Sequence, residues 1–394
     1  MKQRLKTYNV KSVHLEITGR CNLSCIYCYN SQFNDKKKIS EEMSTEDIRR
    51  LIKEASEMGC NSFTFSGGDP FLRNDIFKII KFCKNKKVNF LTNAKLLTKN
   101  FIKRLSLFPQ INEIKITLDG FSGHNKLRRG SNYKDVIKSI KNLKREKMKV
   151  VINTEVTEIN LSEMLELYRL LKKLRIDRWR VDLPFILGRY RENYEDFKLP
   201  DFEKFIFVFK NILLDYLKKK PSFELELFNV FKSEITPTNL IQFDKKIHPC
   251  AYRTGSFPLR PNGDMIFCPS MDMPMSNFIK EGSLKKAINK KYKNKFYNIK
   301  ILDIKECQKC RYLKLCGTGC RVDSYYYLGD FKKPDPIACN IMPLIEREII
   351  PIMQKELMIF LKSLIDKNAK YPQKFDVNKL VEVASTKHKQ TQNY

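Results

Sequence analysis

The number and spacing of the cysteines constrain this chain of 394 residues more than any other feature. Three of the twelve lie near the N-terminus and seven in the last third, and no apolar signal segment follows the basic N-terminus. In a large chain without an export signal, closely spaced cysteines indicate metal binding rather than disulfides. Cys60 and Cys83 stand alone and are expected to be small buried side chains. The grouped cysteines are Cys21, Cys25, Cys28, Cys250, Cys268, Cys307, Cys310, Cys316, Cys320 and Cys339.

Short β-branched runs alternate with amphipathic stretches between about residues 12 and 190, which is typical of parallel βα units. Ser44 followed by Asp47 predicts a capped helix start, and Ile48 and Leu51 begin its apolar face. Six units in this length predict an α/β fold with a partial, TIM-like (β/α)6 barrel that is open on one side. The predicted strands are Val13–Thr18, Ser62–Ser66, Val88–Thr92, Ile114–Leu118, Val150–Val156 and Trp179–Leu183.

Changes in composition divide the chain into four parts. The barrel is expected over residues 12–194, followed by a bridging helical segment over 195–245 with an aromatic-rich helix from Phe202 to Leu217. A small cysteine-rich domain follows over 246–340, where metal would replace apolar burial. Residues 341–394 predict a C-terminal helix, broken or kinked near Pro351, and a polar tail.

The charge balance is strongly basic, with 75 Lys and Arg against 44 Asp and Glu and a net charge of +31. Of these cations 55 are Lys and only 20 are Arg, and they are spread along the chain. Because Arg recognises phosphate better and is not clustered, the pattern favours a solvated surface over a nucleic-acid site. No uncharged apolar run is long enough to span a membrane, so a cytoplasmic protein is expected.

The first cysteine group follows directly on the first predicted strand, with the spacing Cys-x3-Cys-x2-Cys. Three thiolates on one short loop can hold three corners of a cubane iron–sulfur cluster and leave the fourth iron open to an exogenous ligand. Zinc is the alternative, but a structural zinc site needs four ligands. The fourth would have to come from a distant residue such as His14 or His124.

This loop resembles the cluster-binding signature of the radical S-adenosylmethionine (SAM) enzymes, Cys-x3-Cys-x-aromatic-Cys, with Tyr27 in the aromatic position. The resemblance implies a [4Fe–4S] cluster whose unique iron binds SAM. One electron from the cluster would cleave SAM to methionine and a 5′-deoxyadenosyl radical, which abstracts a hydrogen atom from the substrate. The cofactor carries this chemistry, and the protein supplies position and exclusion of water.

Four further segments resemble the family's SAM-binding motifs. The turn Gly67-Gly68-Asp69-Pro70 ends the second strand, where it would admit the SAM amino group and favour its charge. Side chains at the ends of the fourth and fifth strands would approach the carboxylate and ribose, Tyr27 would contact adenine, and the segment from Val181 to Arg189 would flank it. The cofactor-binding residues implied by the resemblance are Tyr27, Gly67, Gly68, Asp69, Thr117, Asp119 and Asn153.

The seven C-terminal cysteines exceed what one four-coordinate metal needs, and their spacing resembles the SPASM domain of many radical SAM enzymes. That resemblance implies two auxiliary [4Fe–4S] clusters, three clusters in all. A zinc ribbon of Cys307, Cys310, Cys316 and Cys320 is the alternative, but it leaves three cysteines unexplained. The family arrangement would place Cys250, Cys268 and Cys320 on the first auxiliary cluster, which has an open iron or a non-cysteine ligand. It would place Cys307, Cys310, Cys316 and Cys339 on the second.

Three functions are consistent with these motifs. The first is a radical SAM/SPASM oxidoreductase that modifies a ribosomally made peptide or a protein by a cross-link, a thioether or epimerisation. The second keeps the chemistry but acts on a small molecule such as a haem or quinone-cofactor precursor. The third is a basic, zinc-stabilised nucleic-acid-binding protein. Pro269 stands after Cys268 where sulfatase-maturing enzymes typically carry an aspartate, which disfavours that activity, and the sequence assigns no catalytic acid or base.

Two partners are expected besides the substrate. No flavin or nicotinamide motif is present, so the electron would come from a flavodoxin or ferredoxin. These donors are usually acidic, and a basic surface would speed their encounter. Only about twelve residues precede the first strand, so a peptide-binding winged-helix module, common in peptide-modifying relatives, would have to be a separate protein.

Overall fold

The computed structural model describes residues 10–30, 33–227, 243–250, 255–271 and 273–382. Its main sheet contains ten strands in the order β12-β11-β10-β1-β3-β4-β5-β7-β8-β9, and a separate pair joins β2 to β6. The strands are β1 (Ser12–Thr18), β2 (Ser24–Cys25), β3 (Ser62–Gly67), β4 (Lys87–Thr92), β5 (Ile111–Thr117), β6 (Arg128–Arg129), β7 (Val150–Glu155), β8 (Arg178–Asp182), β9 (Glu224–Leu227), β10 (Ser256–Leu259), β11 (Asp264–Met265) and β12 (Ser276–Asn277).

Helices follow most strands of the main sheet and continue into the C-terminal part. They are α1 (Lys36–Ser40), α2 (Thr45–Glu57), α3 (Ile76–Phe82), α4 (Lys99–Ser106), α5 (Ser122–Leu127), α6 (Tyr133–Arg145), α7 (Met164–Leu174), α8 (Arg189–Glu192), α9 (Phe202–Lys219), α10 (Phe278–Glu281), α11 (Leu284–Tyr292), α12 (Leu313–Cys316), α13 (Arg321–Leu328), α14 (Pro336–Leu344) and α15 (Lys355–Ser363). As predicted, α2 starts with a capping box of Ser44 and Asp47. A π-helical turn and a 3₁₀ turn containing Pro351 separate α14 from α15, which confirms the predicted break.

The predicted α/β fold with a parallel sheet is confirmed, and all six predicted strands are present, shifted by a few residues at most. The sheet is wider than six strands because four more join it, two in parallel and two antiparallel. Strand β9, from the bridging segment, pairs with β8, and β10, from the cysteine-rich part, pairs with β1. The main sheet therefore runs continuously across the boundaries expected from composition.

The two faces of the sheet have opposite chemistry. On one face, residues such as Leu15, Phe65, Ile116 and Trp179 belong to a single apolar core that also includes the buried faces of the helices. On the other face the alternate positions are polar or charged, and the register aligns them across neighbouring strands: Thr117 lies beside Asn153, and Glu155 beside Asp182. This face differs from the branched apolar interior usual in a closed eight-stranded barrel.

The cysteine-rich region folds back against the start of the sheet. Its first hairpin joins β10 to β11 through a turn in which Gly263 has a φ of 83°, as expected for the Pro-Asn-Gly-Asp sequence. Strand β12 then pairs with β11. Because β10 pairs with β1, the C-terminal cysteines are joined to the strand that leads into the first cysteine group.

Candidate active site

The first cysteine group lies in the segment that follows β1 at the C-terminal edge of the parallel sheet. The Asn34 side chain fixes the start of this loop, because its Oδ1 accepts from the Cys21 backbone N at 2.7 Å and its Nδ2 donates to the Cys21 carbonyl at 2.8 Å. Burial raises the pKa of the Cys21 and Cys25 thiols, and it raises that of Cys28 to about 12. The Cys25 thiol raises the pKa of Cys21 and of Cys28 further, and the Cys21 thiol adds to the effect on Cys28. The structure thus brings the three thiols together, in a position where cations would favour the thiolates.

Two adjacent glycines allow the turn after β3 to approach this loop. A Cβ on Gly67 would lie 2.2 Å from the Thr18 carbonyl oxygen, and one on Gly68 would lie 2.0 Å from the Arg20 carbonyl oxygen. The Gly68 N donates to Thr18 O at 3.0 Å, and the Asp69 N donates to Arg20 O at 2.9 Å. The two glycines therefore have a structural role besides their expected contact with SAM. Any larger residue at either position would push the cysteine loop away from the sheet.

The Asp69 carboxylate is fully buried and binds donors of the chain itself. It accepts from Thr92 Oγ1 at 2.7 Å and from the backbone N of Asn93 and of Phe71 at 3.0 Å each. Burial raises the pKa of this carboxyl group, and the three donors oppose that change. Asp69 thus ties the Gly-Gly turn to the end of β4. Its contact with the SAM amino group stays a prediction.

Tyr27 and Asp119 meet in a buried cluster that also contains Arg128. The Tyr27 hydroxyl donates to Asp119 Oδ2 at 2.5 Å, and Arg128 Nε donates to the same oxygen at 2.6 Å. The short pair of β2 with β6 places Arg128 opposite Cys25, with its Nη1 at 3.8 Å from the Cys25 sulfur. A buried cation thus lies between a predicted cluster ligand and a predicted SAM-binding carboxylate.

Two buried oxygen atoms on β7 have no hydrogen-bond partner within the described ranges: Asn153 Oδ1 and Glu155 Oε2. Burial, followed by the charges of Asp182 and Asp119, raises the pKa of the Glu155 carboxyl group above its ordinary value. Unsatisfied buried oxygens are costly, and a polar ligand at the edge of the sheet would satisfy them. Thr117 is half-buried beside Asn153.

The polar face of the sheet continues from this edge as pairs of opposite charge. Arg260 Nη1 binds both carboxylate oxygens of Glu16, at 2.6 and 2.7 Å, and the Tyr29 hydroxyl donates to Glu16 at 2.8 Å. On the far side Arg178 binds Glu113 at 2.9 Å, and Lys115 lies nearby with a pKa lowered mainly by burial. The polar face of the sheet therefore carries ion pairs near β1 and β10 and again near β5 and β8, with positive and negative side chains interspersed.

Four of the seven C-terminal cysteines line one small cavity: Cys307, Cys310, Cys316 and Cys339. Burial raises the pKa of each thiol, and proximity to the others contributes for Cys307, Cys316 and Cys339. Cys320 is not among the residues that line the cavity. The structure thus groups the four cysteines that the SPASM resemblance assigns to one cluster, not the four of a zinc ribbon.

Cys250, Cys268 and Cys320 each pack against a second apolar cluster. Burial raises the pKa of the Cys268 thiol to about 11. The backbone N of Cys320 donates to Asp335 Oδ2 at 2.7 Å, and Asp335 Oδ1 caps α14, the helix that carries Cys339. Asp335 therefore fixes the spacing between the two cysteine groups.

The remaining cysteines behave as expected for small buried side chains. Cys60 and Cys83 are fully buried within the main core, and none of the twelve cysteines forms a disulfide. Across the described ranges, no three His, Cys, Asp or Glu side chains stand close enough around one point to hold a single metal ion. That finding concerns mononuclear sites, whereas thiolates hold an iron–sulfur cluster as a body of several ions. Among the described helices, none has the length and apolar character of a membrane span.

Sequence reasoning missed the charged residues around these cysteines, notably Arg128, Glu155, Arg260 and Lys291. Arg128 and Arg129 follow the fourth predicted strand as an ordinary basic pair, and only the pairing with β2 directs Arg128 to Cys25. Lys291 carried a signal that could have been read, because it falls on the apolar stripe of its helix with Leu284, Ala287 and Ile288. A charge at such a position is rare unless it is paired.

Comparison with known families and structures agrees with this geometry. Residues 15–171 match the family described as the radical SAM superfamily. The AdoMet-dependent heme synthase of Methanosarcina barkeri is 23% identical over 338 residues, which cover 82% of this chain and 94% of that protein.

Two solved structures share the fold. SuiB of Streptococcus suis bound to the precursor peptide SuiA has a TM-score of 0.64 and 19% identity, over 84% of this chain and 75% of that one. Native anSMEcpe with bound AdoMet and the Kp18Cys peptide has a TM-score of 0.69 and 19% identity, over 89% and 99% of the two chains.

Proposed function

From the premise that residues 15–171 form a domain of the radical SAM superfamily, we propose that this protein is an oxidoreductase that modifies a peptide or protein with a radical generated from SAM. The family implies one [4Fe–4S] cluster and SAM; two auxiliary clusters are part of the proposal. When bound, these groups would supply the redox chemistry, namely the one-electron cleavage of SAM, the removal of a hydrogen atom from the substrate and an acceptor for the second electron, with release of a proton.

The residues present fit the family's cofactors. Cys21, Cys25 and Cys28 would hold the first cluster, because they supply three buried thiols on one loop next to a glycine turn. The unsatisfied oxygens of Asn153 and Glu155 would receive polar groups of SAM at the adjacent edge of the sheet. The Arg128 cation would offset the negative charge of the cluster and hold Asp119 in its present orientation.

The C-terminal cysteines fit two further clusters by the chemistry of their donors. Cys307, Cys310, Cys316 and Cys339 line one cavity and would close around one cluster. Cys250, Cys268 and Cys320 would hold the other with three thiolates. Cluster ligation would also explain why seven thiols, none of them fully exposed, lie in this one region of the chain.

The ionic face of the sheet is the observation that favours a peptide. A face that presents the part-exposed pair Glu113–Arg178 beside other charged side chains suits a polar chain with donors, acceptors and charges along its length. A large planar macrocycle would bury more surface against apolar walls. The peptides bound in the two solved structures are consistent with this assignment.

A second candidate is the same chemistry on a small molecule such as a haem precursor. The specific observation in its favour is the similarity to the heme synthase, which extends over 82% of this chain. The two candidates share the cofactors and differ only in what occupies the polar face. The proposal also includes a flavodoxin or ferredoxin as electron donor for either candidate function. For a peptide substrate it includes a separate peptide-recognition protein.

The cofactor part of the proposal is tested by anaerobic reconstitution with iron and sulfide. The protein should bind iron and sulfide, bleach on reduction, and form 5′-deoxyadenosine from SAM. Cys25→Ala should abolish 5′-deoxyadenosine, whereas Cys83→Ala, at an equally buried cysteine outside the groups, should leave it unchanged. A colourless protein containing zinc would overturn the proposal.

The substrate part is tested by anaerobic co-expression with short open reading frames beside the gene, followed by intact-mass analysis of each peptide. A mass loss equal to pairs of hydrogen atoms would support cross-linking or dehydrogenation. An unchanged mass with deuterium incorporation from solvent would support epimerisation. Formation of 5′-deoxyadenosine only with a fraction of cell metabolites would overturn the peptide assignment in favour of the small molecule.

A further inference from the structure

Lys291 is a fully buried lysine in the cysteine-rich region whose amine has no hydrogen-bond partner among the described residues. It lies on α11, where Leu284, Ala287 and Ile288 form the rest of the buried face. The neighbouring Lys290 points outward and pairs with Glu281. Lys291 therefore lies on the buried face of α11, whereas Lys290 shows that the same helix also has a lysine on its exposed face.

Two aromatic rings and two thiols lie near this amine. Its Nζ lies 5.1 Å from the centre of the Phe257 ring and 5.5 Å from that of Tyr297. The charges of Cys268 and Cys250 act on it, and among the described residues no carboxylate does.

A buried ammonium without a counter-charge is costly, and aromatic faces compensate only part of that cost. The cost disappears if an anion occupies the space beside the amine. Cys250 and Cys268 are two of the three cysteines proposed above to hold an auxiliary cluster. A cluster bound by thiolates is an anion, and each electron it accepts makes it more negative.

We propose that Lys291 is the buried counter-ion of the cluster held by Cys250, Cys268 and Cys320, and that its ammonium group favours the reduced cluster. Lys291 is a positioning residue in this role: it contacts no substrate and acts through the potential of the cluster. Net charge and hydrogen bonds to sulfur are among the properties that set such potentials. The inference rests on the proposed function, since it requires a cluster at these cysteines.

The test is an EPR-monitored redox titration of the reconstituted full-length protein. The transition of this cluster is identified as the one that Cys268→Ala removes. Lys291→Met should shift that transition to lower potential by at least about 59 mV. For a one-electron couple this is a tenfold fall in the ratio of reduced to oxidised cluster at a given potential. Lys291→Arg, which keeps the charge, should restore most of the wild-type potential.

Lys290→Met is the matched control, because it removes one positive charge from the surface of the same helix. It should leave the potential within the error of the titration. Lys291→Gln, closer to lysine in polarity, serves if the methionine variant binds less iron. An unchanged potential in the Met and Gln variants, or equal shifts for Lys290→Met and Lys291→Met, would overturn the inference. A Cys268→Ala protein with wild-type iron content and all transitions present would instead refute the cluster itself, a failure of the proposed function.

Discussion

The side chain of Arg128 forms a largely buried ion pair next to the first cysteine group. It is 11% exposed and pairs with Asp119, whose side chain is fully buried. Arg128→Leu would leave that carboxylate uncompensated, and breaking a buried pair in this way costs about 3–5 kcal/mol. We expect the free energy of unfolding, measured by anaerobic urea titration, to fall by about that amount.

The adjacent Arg129 provides the control for this prediction. It pairs with Asp196 at 3.4 Å, but the two side chains are 60% and 52% exposed. Exposed pairs contribute about 0–1 kcal/mol, so Arg129→Leu should change stability little. Similar losses for the two variants would contradict a special role for the Arg128–Asp119 pair.

Gly68 is the residue at which the sequence motif has its clearest steric reason. Gly68→Ala would bring a Cβ to 2.0 Å from the Arg20 carbonyl oxygen and 2.8 Å from the Cys21 Cβ, so the cysteine loop would have to move. We expect loss of the first cluster, measured as fewer iron atoms per chain and no 5′-deoxyadenosine. Gly19→Ala in the same loop is the control: its Cβ would meet only ordinary contacts, at 3.6 Å or more, and should leave iron content intact.

At the scale of elements, α14 is anchored to the rest of the cysteine-rich region by one buried carboxylate. Asp335 accepts from the backbone N of Ile337, Ala338 and Cys320 at 2.7 to 3.2 Å. Asp335→Ala leaves three buried N–H groups without an acceptor, each at a cost of about 1–3 kcal/mol. We expect α14 and Cys339 to shift, and iron analysis to show loss from the proposed C-terminal clusters while 5′-deoxyadenosine formation in the first site is less affected.

Asp330→Ala is the matched control for this cap. Asp330 is exposed and accepts from the Lys332 N at 2.9 Å in the same connection. Its removal should change neither iron content nor the EPR spectrum. If Asp335→Ala and Asp330→Ala lost iron equally, loss of the cap on α14 would not explain the loss of iron.

At the scale of the whole molecule, the net charge of +31 bears on the electron donor. Attraction between a basic surface and an acidic flavodoxin speeds encounter and is screened by salt. We therefore expect the rate of cluster reduction by flavodoxin, followed by stopped-flow absorbance, to fall steeply as ionic strength rises. A small cationic viologen serves as the control, since its rate should not fall. A flavodoxin rate insensitive to salt would refute electrostatic steering.

The fold was predictable to the extent that its signals are local. The capping box at Ser44 and the strand starting near Val13 are encoded by residues a few positions apart, and both are present. Strand β10 could not be assigned to the main sheet in the same way. Its four residues read as one arm of a hairpin, and its parallel partner β1 lies 244 positions away. A short segment can indicate that it is a strand but not which strand it joins.

The sequence by itself determined the cysteine grouping, the Gly67-Gly68 turn and the alternation of strands and helices, because each depends on spacing within one short segment. Only the tertiary structure decided that Arg128 lies against Cys25, that Glu155 Oε2 is buried with no hydrogen-bond partner among the described residues, and that Lys291 is close enough to Cys250 and Cys268 for their charges to act on it. Arg128 and Glu155 look like ordinary surface residues in the sequence, and Lys291 shows only its place on the apolar stripe of its helix. Their function depends on burial, and burial is a property of the packed molecule, since it is set by elements that are distant along the chain.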